Sequence, residues 1–198
     1  MEIHIFGASN PTGEELIKLI SESNEDINLN VYSRKTKENY LDLLDPNSFE
    51  FINGGRNSIL VSLSPIWLFA SFLLKLQKKK PNIFKDLKSI IAISSSSVIT
   101  KKFSYNLFDR NLVYKLQKAE EIIKKISLDL NIPCLIICPT LIYGKSKNYE
   151  DNNLSLIKKL VQYSPFIILP KNTGLRQPLH CNQLALLIFE KINENINI

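Results

Sequence analysis

The chain has only three cysteines, Cys134, Cys138 and Cys181, and they form no CxxC pair. An odd count without framework spacing excludes a disulfide-stapled scaffold and predicts reduced thiols in the cytoplasm. Cys134 and Cys138 alternate within an apolar run and read as buried, inert thiols. With His4 and His180 as the only histidines, a zinc site lacks ligands, so no metal is expected. Acidic residues are in deficit, 19 against 25 basic ones, and the net charge is +6. The lysines are scattered among isoleucine and asparagine, with no arginine-rich block. That dispersal argues against a nucleic-acid partner, while a positive field suits a small phosphate-bearing ligand. The longest uncharged stretch, Asn57 to Leu74, breaks at Ser64-Pro65. It predicts a buried strand followed by a buried helix and no membrane association. The N-terminus enters an apolar alternation at once and reads as no signal peptide.

What is present is a regular succession of short apolar runs and amphipathic segments. Strands are predicted over Glu2–Phe6, Asn28–Tyr32, Ile59–Leu63, Lys88–Ile93 and Pro133–Cys138, with a weaker one over Phe49–Ile52. Helices are predicted over Thr12–Glu22, from Ile66, and over Asp109–Leu130, Leu154–Tyr163 and Leu184–Asn193. Strands apolar on both faces, separated by helices, imply βαβ units. The predicted fold class is therefore α/β, a single domain over 1–198 built on a doubly wound, mostly parallel sheet.

The first strand runs into Gly7-Ala8-Ser9-Asn10-Pro11-Thr12-Gly13 and then a helix. A dinucleotide site needs this arrangement: a glycine permits the tight turn, and the diphosphate then meets free N–H groups at the helix start. Gly7, Ser9, Asn10, Pro11, Thr12 and Gly13 are the candidate cofactor residues. The usual middle glycine is replaced by Asn10 or Pro11. Thr12 and Glu15 have the spacing of a capping box. An ordinary strand–turn–helix connection is the competing reading. Strand two ends in Tyr32-Ser33-Arg34-Lys35, without the acidic residue that NAD-preferring sites carry. Arg34 can pair with a 2′-phosphate and Ser33 can add a hydrogen bond, so NADP is preferred to NAD. A surface basic pair is the alternative reading.

The succession continues with the serine run Ser94-Ser95-Ser96-Ser97, then Tyr114-x-x-x-Lys118, then Pro139-Thr140-Leu141-Ile142-Tyr143-Gly144. Together with the glycine turn it resembles the short-chain dehydrogenase/reductase superfamily, more narrowly its extended or atypical NAD-dependent epimerase/dehydratase branch. The segment from Gly174 through Arg176 to His180, followed by Leu184-Ala185, is similar to that branch's approach to its late helix. The resemblance implies a Rossmann-type NAD(P)-binding fold. It also implies Tyr114 as general acid/base, Lys118 lowering its pKa, and Ser95 or Ser96 orienting the substrate oxygen. Tyr114 and Lys118 have the spacing that shares one helix face. Aligning on Glu121 instead puts Val113 and Gln117 at those positions, without a tyrosine. Leu63, Ser64, Pro65, Ser94, Pro139, Thr140 and Leu141 would line the cofactor, and Arg176 would meet the diphosphate of a nucleotide-sugar. Ordinary turn chemistry also explains Ser64-Pro65 and Pro139-Thr140. His180 reads as structural.

The expected function is that of an NAD(P)-dependent oxidoreductase or a nucleotide-sugar epimerase/dehydratase-like protein acting on a small-molecule substrate. The alternative is a non-catalytic dinucleotide-binding sensor or complex subunit. Residues 145–198 read as the remnant of a substrate lobe that is larger in the family. The substrate is therefore small, or a homodimer or partner chain completes the site, or the protein is not an enzyme.

Overall fold

A computed structural model describes residues 1–23, 26–34, 39–45, 47, 49, 57–151, 154–164, 166 and 177–196. Its strands are β1 (Glu2–Phe6), β2 (Asn28–Tyr32), β3 (Ser58–Ser62), β4 (Leu87–Ile93), β5 (Cys134–Ile137), β6 (Ile142–Tyr143) and β7 (Leu179–His180). Its helices are α1 (Pro11–Glu22), α2 (Ile66–Lys79), α3 (Ser97–Thr100), α4 (Leu107–Leu130), α5 (Leu154–Tyr163) and α6 (Cys181–Ile196). Five strands form one parallel sheet in the order β2-β1-β3-β4-β5, and β6 pairs with β7 apart from it. Apart from Phe49, the expected strand over Phe49–Ile52 lies outside the described residues. The uncharged stretch divides into β3 and α2 as the Ser64-Pro65 break predicts. No helix among the described residues is long and apolar enough to cross a membrane.

The alternation of side chains along each strand separates two cores. Ile3 and Ile5 of β1, with Ile59, Val61 and Ile91, face Leu16 and Ile20 of α1 and Leu184, Ile188 and Ile192 of α6. Phe6, Leu60, Ile90 and Ala92 point to the other side, toward Phe69, Phe72 and Leu73 of α2 and Leu116, Ala119 and Ile123 of α4. Helices α1 and α6 rest on each other on one face of the sheet, α2 and α4 on the opposite face. The sheet is thus doubly wound, which accounts for strands without a polar face.

The second core is densest at the carboxyl end of β1. The Phe6 ring is stacked on Tyr32 at 5.2 Å and lies 5.5 Å from both Phe69 and Phe72. Each fully buried phenylalanine contributes about 1.5–3 kcal/mol of transfer free energy. The cluster therefore holds the end of β1 firmly, and the chain leaves it for Gly7 in a defined direction.

Helix α4 starts at Asn106, whose Oδ1 accepts the Phe108 N–H at 2.8 Å, and ends where Asn131 turns left-handed at φ 53°. Its buried residues are Val113, Leu116, Ala119, Ile123 and Ile126. This spacing of three and four fixes which face meets the core.

Candidate functional site

The connection from β1 to α1 is built from local hydrogen bonds. Gly7 has φ +75°, and a Cβ there would lie 2.6 Å from the backbone nitrogen of Ser64. Only glycine meets both demands. At Gly13 a Cβ would lie 2.5 Å from Ala8 Cα, so this glycine lets α1 close onto the end of the strand. Asn10 is the N-cap: its Oδ1 accepts the Gly13 N–H at 2.9 Å, and its Nδ2 donates to Gly7 O at 2.7 Å. The capping-box expectation for Thr12 and Glu15 is corrected here. Pro11 occupies the first helical position, which its fixed φ and missing N–H suit, and Thr12 is buried within the first turn.

The turn lies at the point where the strand order reverses, between β1 and β3. Ligands of open α/β sheets bind in the crevice outside the strands at such a point. Here the crevice is a cavity of about 380 Å³ lined by Phe6, Gly7, Ser9, Asn10, Tyr32, Ser33, Arg34, Leu63, Ser64 and Pro65, with Leu41–Leu44 and Leu68. The candidate residues from three separate strand ends therefore face one space. Ser62 and Ser64 brace it with a 2.7 Å hydroxyl–hydroxyl hydrogen bond. The wall formed by Leu41, Asp42, Leu43 and Leu44 has no motif in the sequence, because it reaches the site only through the bridge between Ser33 and Tyr40.

A second cavity, of about 820 Å³, adjoins the first across Ser9, Asn10, Leu63 and Pro65. It takes in Pro11 and Thr12 and is completed by Ile93, Ile142, Tyr143, Tyr149, Glu150, Asp151, Cys181 and Leu184. Its outer loop is tied to α1. The Glu14 carboxylate accepts Ser146 Oγ–H at 2.5 Å and the Asn148 N–H at 2.9 Å. These donors, Ser146 above all, hold the Glu14 carboxyl below its ordinary pKa. Asp151 accepts the Leu154 N–H at 2.6 Å and so starts α5. Tyr143, Tyr149, Glu150 and Asp151 line this cavity without a signal in the sequence: β6 brings Tyr143 there, and the loop's return onto α1 brings the other three.

The serines end β4 next to Ile93. The Ser94 N–H donates to Ile137 O at 2.7 Å and the Ser96 N–H to Pro139 O at 2.9 Å, so Ser94, Ser96 and Pro139 close the sheet edge. Ser94 Oγ donates to Glu120 at 2.5 Å, and Ser95 Oγ–H to Ser97 at 3.1 Å. Thr140 Oγ1 donates to Gln177 O at 2.5 Å and Leu141 O accepts the Leu179 N–H at 2.9 Å. These contacts steady the β5–β6 connection rather than line either cavity.

Tyr114 and Lys118 do share a helix face, with the ammonium 5.8 Å from the ring centroid. That face is turned outward: Tyr114 is 64% exposed, and neither residue lines either of these two cavities. Val113, the residue that alignment on Glu121 selects, is buried. Of the expected catalytic set, Tyr114, Lys118, Ser95 and Ser96 are all outside the linings of these two cavities. Arg176 lies outside the described residues. His180 Nδ1 accepts the Asn182 N–H at 3.2 Å, and its ring meets Tyr143 edge-on at 5.0 Å, a structural role. Cys138 is exposed, against expectation, because β5 ends at Ile137. Burial nevertheless pushes its thiol pKa up, and that of Cys134 to about 11, so both disfavour the thiolate.

No family model and no curated protein matches the chain in sequence. Solved structures match it in shape. A GDP-L-fucose synthetase from Naegleria fowleri bound to NADP has a TM-score of 0.64 at 13% identity, over 96% of this chain and 72% of that one. A dTDP-glucose 4,6-dehydratase from Bacillus anthracis in complex with NAD gives 0.69 at 15%, over 95% and 70%. A UDP-glucuronic acid 4-epimerase from Bacillus cereus in complex with UDP-glucuronic acid and NAD gives 0.69 at 15%, over 97% and 73%. The chain thus has the Rossmann-type fold of the NAD(P)-dependent epimerases and dehydratases, in agreement with the resemblance in its motifs.

Proposed function

We propose that the chain binds a nicotinamide dinucleotide across the two adjoining cavities, NADP in preference to NAD. On this reading it acts as an oxidoreductase or nucleotide-sugar epimerase/dehydratase-like protein on a small-molecule substrate. The supporting observation is the convergence of Gly7, Ser9, Asn10, Ser33, Arg34, Leu63, Ser64 and Pro65 on one cavity at the strand-order reversal. The adenosine half would lie between Leu41, Leu43 and Leu68 on one side and the glycine turn on the other. Arg34 and Ser33 would hold the 2′-phosphate. The nicotinamide half would enter the larger cavity, beside Thr12, Ile93 and Tyr143. When bound, the nicotinamide supplies the hydride donor or acceptor. The chain's own part is to orient it, with Ser95 or Ser96, just beyond the carboxyl end of β4, orienting the substrate oxygen. The larger cavity draws part of its wall from residues 145 onward, which act as the substrate side of the domain.

Nicotinamide fluorescence during titration with NADPH and NADH tests this. Micromolar NADPH binding is expected, weakened about five- to tenfold by Arg34→Ala through loss of one exposed charge-assisted contact, with NADH unaffected. Equal losses for both nucleotides would remove Arg34 as the phosphate reader. The alternative reading is a non-catalytic dinucleotide-binding sensor or complex subunit. Retained binding with no turnover in a substrate screen would select it.

A further inference from the structure

We propose that the Asn10 side chain competes with the ligand's diphosphate for the start of α1, so that dinucleotide binding must open a clip that the free protein holds closed. This rests on the dinucleotide reading above and says how that site is restrained.

Asn10 is one of the residues lining both cavities, so it stands at the waist that any molecule occupying the two must cross. The bridge between the halves of a dinucleotide is its diphosphate, which requires N–H donors at this waist. The first turn of α1 has few to offer. Pro11 has no N–H. The Gly13 N–H is taken by Asn10 Oδ1 at 2.9 Å, and the Glu14 N–H by Asn10 O at 3.1 Å. Asn10's own N–H donates to Ala8 O at 2.8 Å, and its side-chain Nδ2 to Gly7 O at 2.7 Å. Thr12 N–H is the donor of this turn that finds no partner among the described residues. A glycine at position 10 would leave the Gly13 N–H open to the ligand. Asparagine satisfies it internally and closes the turn with its amide. The diphosphate finds the Thr12 N–H open, but to gain the Gly13 N–H as well it must displace two protein hydrogen bonds, and the apparent affinity falls by the cost of opening the clip.

The test uses the full chain and three ligands. NADPH and NADH carry the diphosphate; 2′-AMP fills the adenosine end without it. Asn10→Gly is expected to bind NADPH and NADH about tenfold more tightly, with 2′-AMP unchanged. Asn10→Asp keeps an acceptor on the Gly13 N–H and adds a negative charge. It is expected to bind both dinucleotides about tenfold more weakly while melting no lower than the parent. Parent binding that Asn10→Gly leaves unchanged or weakens, or that Asn10→Asp leaves intact, would overturn the clip and spare the dinucleotide reading. If the parent and Asn10→Gly both fail to bind NADPH and NADH, the dinucleotide reading falls and the clip with it.

Discussion

Replacing Gly7 with alanine is expected to destabilise the fold by about 3 kcal/mol and to abolish dinucleotide binding. The backbone there has φ +75°, a conformation costing a residue with a Cβ about 1–2 kcal/mol. The new methyl would also lie 2.6 Å from the Ser64 nitrogen and 2.8 Å from its Cα, too close for either atom to remain in place. Neither strand end can yield easily. Leu63 N–H donates to Phe6 O at 2.8 Å, and Phe6 is locked in the aromatic cluster. Overpacking against such a wall typically costs a further 1–3 kcal/mol or so. In a domain of this size the sum corresponds to a melting temperature lower by roughly 10 °C. Because the clash falls in the wall of the first cavity, the structural loss and the binding loss have one cause. Urea unfolding alongside an NADPH titration checks both, with Ser9→Ala as the comparison. Ser9 is exposed and its substitution should move the unfolding midpoint little. An unfolding midpoint for Gly7→Ala equal to that of Ser9→Ala would refute the close-approach argument.

Acid should weaken the fold well above the range in which carboxylates titrate. His4 is fully buried at the centre of β1. Its Nδ1 lies 3.0 Å from the Tyr32 hydroxyl, its Nε2 lies 3.3 Å from Glu2 Oε2, and the Phe49 ring stands edge-on at 6.0 Å. Burial pushes its pKa down to about 4, against the smaller opposing pull of the Glu2 carboxylate. Burial likewise raises that of Tyr32 to about 12, so the phenol keeps its proton and can donate it to Nδ1. The sign follows from linkage. The native state holds a neutral imidazole that the unfolded state protonates near pH 6.5. Stability is complete above that pH and declines as pH falls, until the native state also takes up the proton near pH 4. The window is worth on the order of 3 kcal/mol. Unfolding free energies measured across it should fall by about one proton's slope, and His4→Gln should flatten that slope. An identical slope in the variant would mean that His4 is not the group responsible.

Much of the fold was legible because it is written locally. β1, β2 and α5 match the sequence reading to the residue; in β1 an apolar run bounded by turn residues reports burial on both sides. The serine run at the end of β4 and the Ser64-Pro65 break behaved as turn chemistry predicts. Asn10-Pro11 is also a local signal for a helix start, yet the spacing of Thr12 and Glu15 competed with it. The hydrogen bonds of the turn decide for Asn10.

What required the tertiary structure is everything that depends on which elements meet. The face of α4 is one case: Tyr114 and Val113 are neighbours in sequence, and only contact with α2 decides which is buried. The far wall of the first cavity is another, since Leu41–Leu44 carry no motif and arrive there by pairing beyond β2. The second cavity depends on Glu14 catching Ser146 and Asn148 from a distant part of the chain. By itself the sequence determined the α/β class and the strand–glycine–helix turn, because strand alternation, glycine geometry and helix capping act within a few residues. The tertiary structure alone decided that the ends of β1, β2 and β3 line one cavity, that Asn10 lies where it adjoins the second and that Tyr114 faces outward, because side-chain direction depends on what each face of the sheet and helices is packed against.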